Sequence, residues 1–299
     1  MPLKDRVQDA LDEARTLVLG TQVLLGFQYQ STFEPGFAKF SQAQQQLSLL
    51  SLLLLIENFM LLLVPVAHQI IGDRGNDTPF EYRLASRCVA AALPMFALSI
   101  GVDCYLSAIP IAGDAVAAAT GTVVAMVALG AWFGIRPSGR ASEAEEAPMA
   151  RQATPLDDRI RRVLTETRVV LPGAQTLLGF ACITTLLDGF SALAPTAKAI
   201  HLASLIAVAI STILLMTPAA IHRIAEHGKA TERFHRLASA LVIAALIPLG
   251  LSLSGEIFVV VYKVSESTFI ACGLAFFAAA SFAGGWFVFP AVLRYHYRS

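Results

Sequence analysis

Eight apolar blocks of about 18–26 residues, each nearly free of charged side chains, follow one another along this chain. About 20 such residues cross the hydrocarbon core of a bilayer as a helix, and a helix satisfies its own backbone hydrogen bonds there. The blocks therefore predict an all-α polytopic membrane protein with eight transmembrane helices. The predicted spans are residues 16–33, 47–71, 84–109, 112–135, 169–187, 198–222, 237–262 and 268–291.

Composition narrows the classes of protein that remain. Hydrophobic residues make up 56% of the chain and charged residues 15%, against roughly 45–50% and about 25% in soluble domains. The 22 basic residues are balanced by 22 acidic ones, so no excess of positive charge favours a nucleic acid as partner. The four cysteines lie far apart, and the sequence contains no phosphate-binding, nucleophile or zinc motif. We therefore expect neither an enzyme nor a bound metal or cofactor.

The distribution of Lys and Arg predicts the orientation in the membrane. Nineteen of the 22 basic residues fall in the two termini and in the loops on one side of the predicted spans. Lys39, Lys198 and Lys263 fall on the other side. Because cytoplasmic loops carry the excess of Lys and Arg, we expect both termini to be cytoplasmic and the partner of the chain to be the lipid bilayer.

An internal duplication divides the chain into two halves. Without any gap, 32 of the 89 residues at 11–99 are identical to the residue 153 positions later. Each half holds four predicted spans, and an even number of spans gives both halves the same orientation. The sequence thus predicts two parallel four-helix repeats, 1–135 and 164–299, joined by a charged cytoplasmic linker at 136–163.

The repeated residues also carry a family resemblance. The pattern ExR-x4-GxQxLLGF occurs at 13–27 and at 166–180, and the second half continues with PxxxHR at 218–223, a basic loop and RLAS at 236–239. This set resembles a family of short bacterial membrane proteins that typically have one four-helix unit and no established function. Some members are labelled sodium:proton antiporter. The resemblance implies two fused units in a bacterial inner membrane and weakly suggests ion transport.

The first half departs from the family pattern at Pro65, since His68 comes one position early and no Arg follows it. The residues that carry the repeated cytoplasmic motif are Glu13, Arg15, Glu166, Arg168, Gln175, His222, Arg223 and Arg236. Glu13 and Arg15 are two positions apart, which places them on different faces of a helix. We expect each to hold a neighbouring loop, such as the loop bearing Arg83, and partner or lipid binding is the alternative.

Glu57 is the charged residue least expected where it stands, near the middle of the second span. An acid at the bilayer centre costs about 2.5–3.5 kcal/mol on insertion scales, so it should face the bundle interior or a wet cavity. Because the first two spans run in opposite directions, we expect Gln28, Gln30 and Asn58 to lie at a similar depth. Gln22 and His68 should lie nearer the cytoplasm on the same two polar stripes.

Two hypotheses account for Glu57. In the first, it is an ion or proton site, built with Gln22, Gln28, Gln30, Asn58 and His68 and exchanging H⁺ or Na⁺. In the second, it is protonated and joins two helices through a hydrogen bond to a glutamine. The equivalent position in the second half is Ile210, so this polar cluster belongs to the first half.

Asp103 and Glu256 are equivalent acids of the two halves, each about twenty residues beyond the cytoplasmic end of its span. They are either solvated acids at the outer interface or an outer acidic pair that attracts cations.

Small residues recur every fourth position in the fourth and eighth spans, at Gly113-Ala117-Gly121-Ala125 and Ala271-Ala275-Ala279-Ala283. These faces allow close helix packing, between the halves or in a homo-oligomer.

Two classes of function remain from the sequence. The first is an ion-translocating protein, proton-coupled and using Glu57. The second is a non-transporting scaffold or regulator that acts through its basic cytoplasmic loops.

The predicted orientation can be tested by cysteine labelling in a cysteine-free background. An impermeant thiol reagent applied outside the cell should label a cysteine at Lys39 and spare one at Ser142, because Ser142 lies in the cytoplasmic linker. Labelling at Ser142 but not at Lys39 would reverse the topology.

Overall fold

The computed structural model describes residues 3–72, 78–134, 155–224 and 231–296, and these contain helices and no strand. Most of the predicted linker lies outside the described residues. The main helices are α1 Leu3–Ser31, α2 Gln42–Ile71, α3 Pro79–Leu129, α4 Leu156–Thr184, α5 Asp188–Ser191, α6 Pro195–Ile224, α7 Glu232–Ser265, α8 Thr268–Ala283 and α9 Phe289–His296. A 3-10 turn at Phe37–Lys39 follows α1, and wide π-helical turns at Gly130–Gly134 and Gly284–Val288 extend α3 and join α8 to α9.

Side-chain caps fix where several helices begin. Ser41 accepts from the backbone of Gln44, whose side chain bonds back to Ser41, and this capping box starts α2. Thr78 caps α3, and Thr231 caps α7 in the same way. The start of α2 at Gln42 lies five residues before the predicted span.

Five of the described helices are long and apolar enough to cross a membrane: Gln42–Ile71, Pro79–Phe133, Pro195–Ala219, Glu232–Ser265 and Thr268–Tyr295. Their outward surfaces are apolar, as in Ile111 and Phe269, which are 86% and 89% exposed. The prediction of eight spans is thus confirmed only in part. α1 and α4 fall short of this apolar content because polar residues such as Gln22 and Gln175 interrupt them.

The segment Pro79–Phe133 contains two of the predicted spans. Its 55 residues would measure about 80 Å as one straight helix, more than twice the hydrocarbon thickness. Gly113 breaks the helix with φ 77° and ψ 168°, a conformation that suits glycine. Beyond it the chain folds back on itself. Gly121 lies so close to Gly101 that a Cβ on Gly121 would be 2.5 Å from the carbonyl oxygen of Gly101. The small residues of the fourth predicted span therefore pack within this hairpin.

The two halves meet along α1 and α4, which lie side by side and run in the same direction. Arg15 contacts Glu166, Gln22 lies against Gly173, and Gly26 lies against Phe180. Residue numbers thus rise together along both helices. In each half the next helix, α2 or α6, packs beside this central pair, followed by α3 or α7. This is the arrangement that a parallel repeat predicts.

The last helices of the second half also pack across α2. The Trp286 ring is fully buried, and its Nε1 donates to the carbonyl oxygen of Met60 at 2.9 Å. Near the end of α2, Arg294 donates to the carbonyl oxygen of Ile71 at 3.4 Å. The second half therefore contacts the first through α4 against α1 and through α7, α8 and α9 against α2.

The hairpin of α3 can be tested at its glycines. Gly121→Ala should lower the free energy of unfolding by about 1–3 kcal/mol, because the new methyl group overlaps Gly101 and Tyr105. Gly130→Ala is the matched control, since no atom lies within 4 Å of its Cβ position. Both would be measured by denaturant titration in detergent. Equal stability of the two variants would contradict the fold-back at Gly113.

Candidate functional site

Glu57 occupies the middle of α2 and is half-buried. Its side chain lies near Ser281 of α8, so it faces the second half of the chain and not the glutamines of α1. This contact joins helices from the two halves, and it is compatible with either hypothesis for Glu57.

The glutamines predicted near Glu57 have other partners. Gln28 donates from Nε2 to the carbonyl oxygen and to the hydroxyl of Ser48, both at 2.9 Å. Asn58 donates to the Thr21 hydroxyl at 3.3 Å. Gln30 donates to Glu34 at 3.5 Å, at the exposed end of α1. The expected cluster does not form, because α1 ends at Ser31 and places Gln28 and Gln30 in its last turn.

Gln22 and His68 are both buried, but in separate places. Neither amide atom of Gln22 has a hydrogen-bond partner within the described residues, and the side chain lies directly over Gly173. His68 Nδ1 lies 2.7 Å from Glu81 Oε2, and both side chains are at most 3% exposed. Sequence analysis did not single out Glu81, which lies in the first turn of α3.

The other buried polar cluster connects four helices from both halves. The Tyr29 hydroxyl oxygen of α1 lies 3.0 Å from His201 Nδ1 of α6. The same Nδ1 lies 3.1 Å from Glu256 Oε2 of α7, and His201 Nε2 lies 3.1 Å from the carbonyl oxygen of Ala181 in α4. His201 is 1% exposed and Tyr29 is 6% exposed. This arrangement puts Glu256 inside the bundle rather than among solvated acids.

The hydrogen-bond contacts of this cluster fit two distributions of its protons. The Ala181 carbonyl only accepts, so Nε2 of His201 carries a hydrogen. With a neutral imidazole, Nδ1 accepts a hydrogen bond from the Tyr29 hydroxyl or from a protonated Glu256. With an imidazolium, Nδ1 donates to the Glu256 carboxylate, and the Tyr29 hydroxyl can no longer donate to it. A proton on Nδ1 thus changes the partner that the Tyr29 hydroxyl can use at the contact between the halves, from His201 to the neighbouring Glu256 carboxylate.

A small cavity adjoins the cluster at the contact between the halves. Its volume of about 20 Å³ is enough for about one water molecule. Apolar side chains from α1, α2, α4, α6 and α7 form most of its wall, while Tyr29 and Glu256 supply polar groups. The ring of Phe180, packed on Gly26, lies along the same wall.

Lys263 fastens the same end of the bundle. Its Nζ donates to the carbonyl oxygen of Thr32 at 2.5 Å and lies over the rings of Phe33 and Phe37 at 5.2 and 5.6 Å. Lys263 belongs to α7, whereas the three residues it contacts follow α1. This end of α7 is therefore tied to the first half close to Tyr29 and Glu256.

The equivalent acid of the first half, Asp103, has a different partner. Its Oδ1 accepts from the Ser51 hydroxyl at 2.9 Å. Asp103 and Glu256 thus bond within their own halves, each to the helix that precedes its own. Sequence analysis recognised these two acids as equivalent but missed His201, although Glu256 and the duplication gave a signal: His201 replaces Ser48 of the first half.

Arg15 and Glu166 of the repeated motif connect the halves to each other. Arg15 forms an ion pair with Glu166, and their side chains are 6% and 1% exposed. Arg168 and Gln175, which correspond to Arg15 and Gln22 of the first half, are exposed, as is Arg236. The side chains of Glu13, His222 and Arg223 lie outside the described residues.

Comparison with known proteins gave one match. A family model described as "Family of unknown function (DUF6328)" matches residues 3–136 and again residues 150–290. The two matches coincide with the two halves. Neither the curated proteins nor the solved structures contain a match to the chain. In the part of the chain that the structure describes, no group of three His, Cys, Asp or Glu residues is arranged to hold a metal ion.

The ion pair between the halves can be tested with its repeat equivalent as control. Arg15→Gln should lower the free energy of unfolding by about 3–5 kcal/mol, because it leaves the buried Glu166 carboxylate without that partner. Arg168→Gln, at the exposed equivalent position, should change stability little. Thermal or denaturant unfolding in detergent measures both. Comparable losses in the two variants would contradict the clamp between halves.

Proposed function

The chain belongs to the DUF6328 family of unknown function, and from this premise we propose that it is a membrane protein that carries out proton-coupled ion transport. We place α1, α2, both arms of α3, α4, α6, α7 and α8 in the bilayer, which gives the eight spans. α1 and α4 pack among the apolar helices α2, α3, α6 and α7, and central helices need no apolar surface on every side. We place the protein in a bacterial inner membrane with both termini in the cytoplasm.

The hydrogen-bonded group of Tyr29, His201 and Glu256 is the observation that carries this proposal. Ionisable groups are rare within membrane helices, and where they occur they mark proton relays and ion pathways. Here an imidazole and a carboxylate share a hydrogen bond between α6 and α7. Only small shifts of a proton between Nδ1 and Oε2 separate the two arrangements of the pair.

The role of each residue follows from this geometry. Glu256 holds the exchangeable proton, with one carboxylate oxygen, Oε1, that has no partner in the described part of the chain. His201 exchanges that proton, and the Ala181 carbonyl fixes the hydrogen on Nε2. Tyr29 connects the proton state to the first half, since a protonated Nδ1 no longer accepts from its hydroxyl, which can then donate to the Glu256 carboxylate. The hydrogen bond between the halves changes partner with the proton.

Glu57 stays a second candidate for the carboxylate. Its position near Ser281 is also between the halves, but no imidazole or second ionisable group is paired with it in the described residues. On this ground we propose Glu256 as the proton carrier and Glu57 as the residue that joins α2 to α8.

Proton flux in reconstituted vesicles tests the proposed function. With a pH-sensitive dye inside, a gradient of Na⁺, Li⁺ or K⁺ should drive proton movement by the parent protein. Glu256→Gln and His201→Gln should reduce that flux to the rate of protein-free vesicles, because each removes a proton-exchanging group. Glu232→Gln is the matched control, an acid at the exposed start of the same helix, and should keep the parent rate.

Two outcomes would contradict the assignment. Loss of flux in Glu57→Gln with normal flux in Glu256→Gln would move the site to Glu57. A folded parent protein without flux under any of these gradients would favour the scaffold or regulator hypothesis.

A further inference from the structure

Both halves contain the same set of two serines and one acid at equivalent positions. In the first half these are Ser51, Ser99 and Asp103, and 153 positions later the chain has Ser204, Ser252 and Glu256. In each half the second serine stands four residues before the acid, which puts both on one face of the helix. The duplication therefore carries a polar set in addition to its apolar helices.

The first-half set is closely bonded between α2 and α3. The Ser51 hydroxyl donates to Asp103 Oδ1 at 2.9 Å and lies 3.4 Å from the carbonyl oxygen of Ser99. In return, the Ser99 hydroxyl lies 3.4 Å from the carbonyl oxygen of Ser51. Both serines are fully buried. Five oxygen atoms, from three residues, are thus gathered at one helix contact.

The halves differ in what stands beside the acid. In the second half, His201 pairs with Glu256 and supplies positive charge when protonated. The equivalent of His201 in the first half is Ser48, whose hydroxyl accepts from Gln28. Within the described residues, no Lys, Arg or His side chain forms an ion pair with Asp103. The second-half set therefore includes a side chain that can carry positive charge, His201, whereas the described residues show no such partner for Asp103 in the first-half set.

The two serine hydroxyls of the first-half set each lie between two oxygen atoms. The single Ser51 hydroxyl proton faces two acceptors, Asp103 Oδ1 and the Ser99 carbonyl. The Ser99 proton likewise faces the carbonyl oxygens of Met95, at 3.0 Å, and of Ser51. The three carbonyl oxygens also accept backbone N–H bonds within their own helices. Asp103 accepts from the Ser51 hydroxyl and has no positive side chain paired with it among the described residues, and a carboxylate in that position among apolar helices attracts a cation.

We propose that Ser51, Ser99 and Asp103 form a binding site for a small monovalent cation such as Na⁺ or Li⁺. Carboxylate, hydroxyl and carbonyl oxygens replace the water shell of such ions within membrane proteins. One carboxylate balances one positive charge, whereas Ca²⁺ is normally held by several acidic or carbonyl ligands. Binding of this cation does not depend on the proposed proton flux. Only a coupling between cation binding and proton exchange at Glu256 would rest on the proposed function.

Cation binding can be measured on the full chain in detergent without any transport. Thermal unfolding would be followed while NaCl replaces choline chloride at constant ionic strength. Binding to the folded state should raise the melting temperature with increasing Na⁺, and choline should not. Asp103→Asn should abolish this dependence. Asp114→Asn is the matched control, an exposed acid of the same hairpin bonded to Gln44, and should keep it.

A second pair of variants covers the case in which Asp103→Asn does not fold. Ser99→Ala removes one hydroxyl ligand and should weaken the apparent Na⁺ affinity about tenfold or more, equivalent to about 1.4 kcal/mol. Ser252→Ala, at the equivalent position of the second half, should leave the affinity unchanged.

A melting temperature that responds equally to Na⁺ and choline, or Asp103→Asn with an unchanged Na⁺ response, would overturn the cation site. A protein that binds Na⁺ in this way but gives no proton flux keeps the cation site and overturns the proposed function.

Discussion

The close parallel contact between α1 and α4 is the constraint on which the rest of the bundle depends. It requires glycine, because a Cβ on Gly173 would overlap the Gln22 side chain, and one on Gly26 would overlap the Phe180 ring. At the end nearer the N-terminus the contact includes a buried ion pair between the halves. At the other side Tyr29 meets His201. With the central pair held at both ends, α2 and α6 can pack only on its flanks, and the remaining helices pack outside them.

A duplicated sequence does not give a symmetric structure here. If the halves were related by an ideal two-fold axis, Arg168 would be as buried as Arg15, and Gln175 as buried as Gln22. Instead Arg168 and Gln175 are exposed. The second half also sends α8 and α9 across α2, where Trp286 fills the space beside Met60, and no comparable contact of the α3 hairpin with α6 is present among the described residues. Each half has thus been able to specialise its polar residues while the apolar packing kept the common order of helices.

Hydropathy and the repeat predicted the helices, the reversal between the third and fourth spans, and the parallel relation of the halves, because these depend on long apolar stretches and on many identical residues. The partners of single polar side chains were not predicted, since they depend on depth to within one helical turn. Glu57 was placed beside Gln28 on the assumption that α2 begins near residue 47. The capping box at Ser41 starts it five residues earlier, a displacement of about 7 Å along the helix.

His201 was missed because a single histidine in an apolar block carries no motif of its own. Its meaning comes from its equivalence to Ser48 in the repeat, taken together with the position of Glu256 in space.

Charge balance within the bilayer explains why one substitution between the halves matters so much. A carboxylate among apolar helices is stable when it is protonated or when a positive group accompanies it. The duplication supplied two such acids at equivalent positions. At one neighbouring position the halves then diverged, with Ser48 in the first and His201 in the second. The imidazole gives the second acid a partner inside the chain, whereas no positive side chain is paired with the first acid among the described residues. In the proposed function the first acid therefore takes its positive charge from a bound cation, and the contact of α1 with α4 holds the two sites in one bundle, as coupling of one ion to another requires.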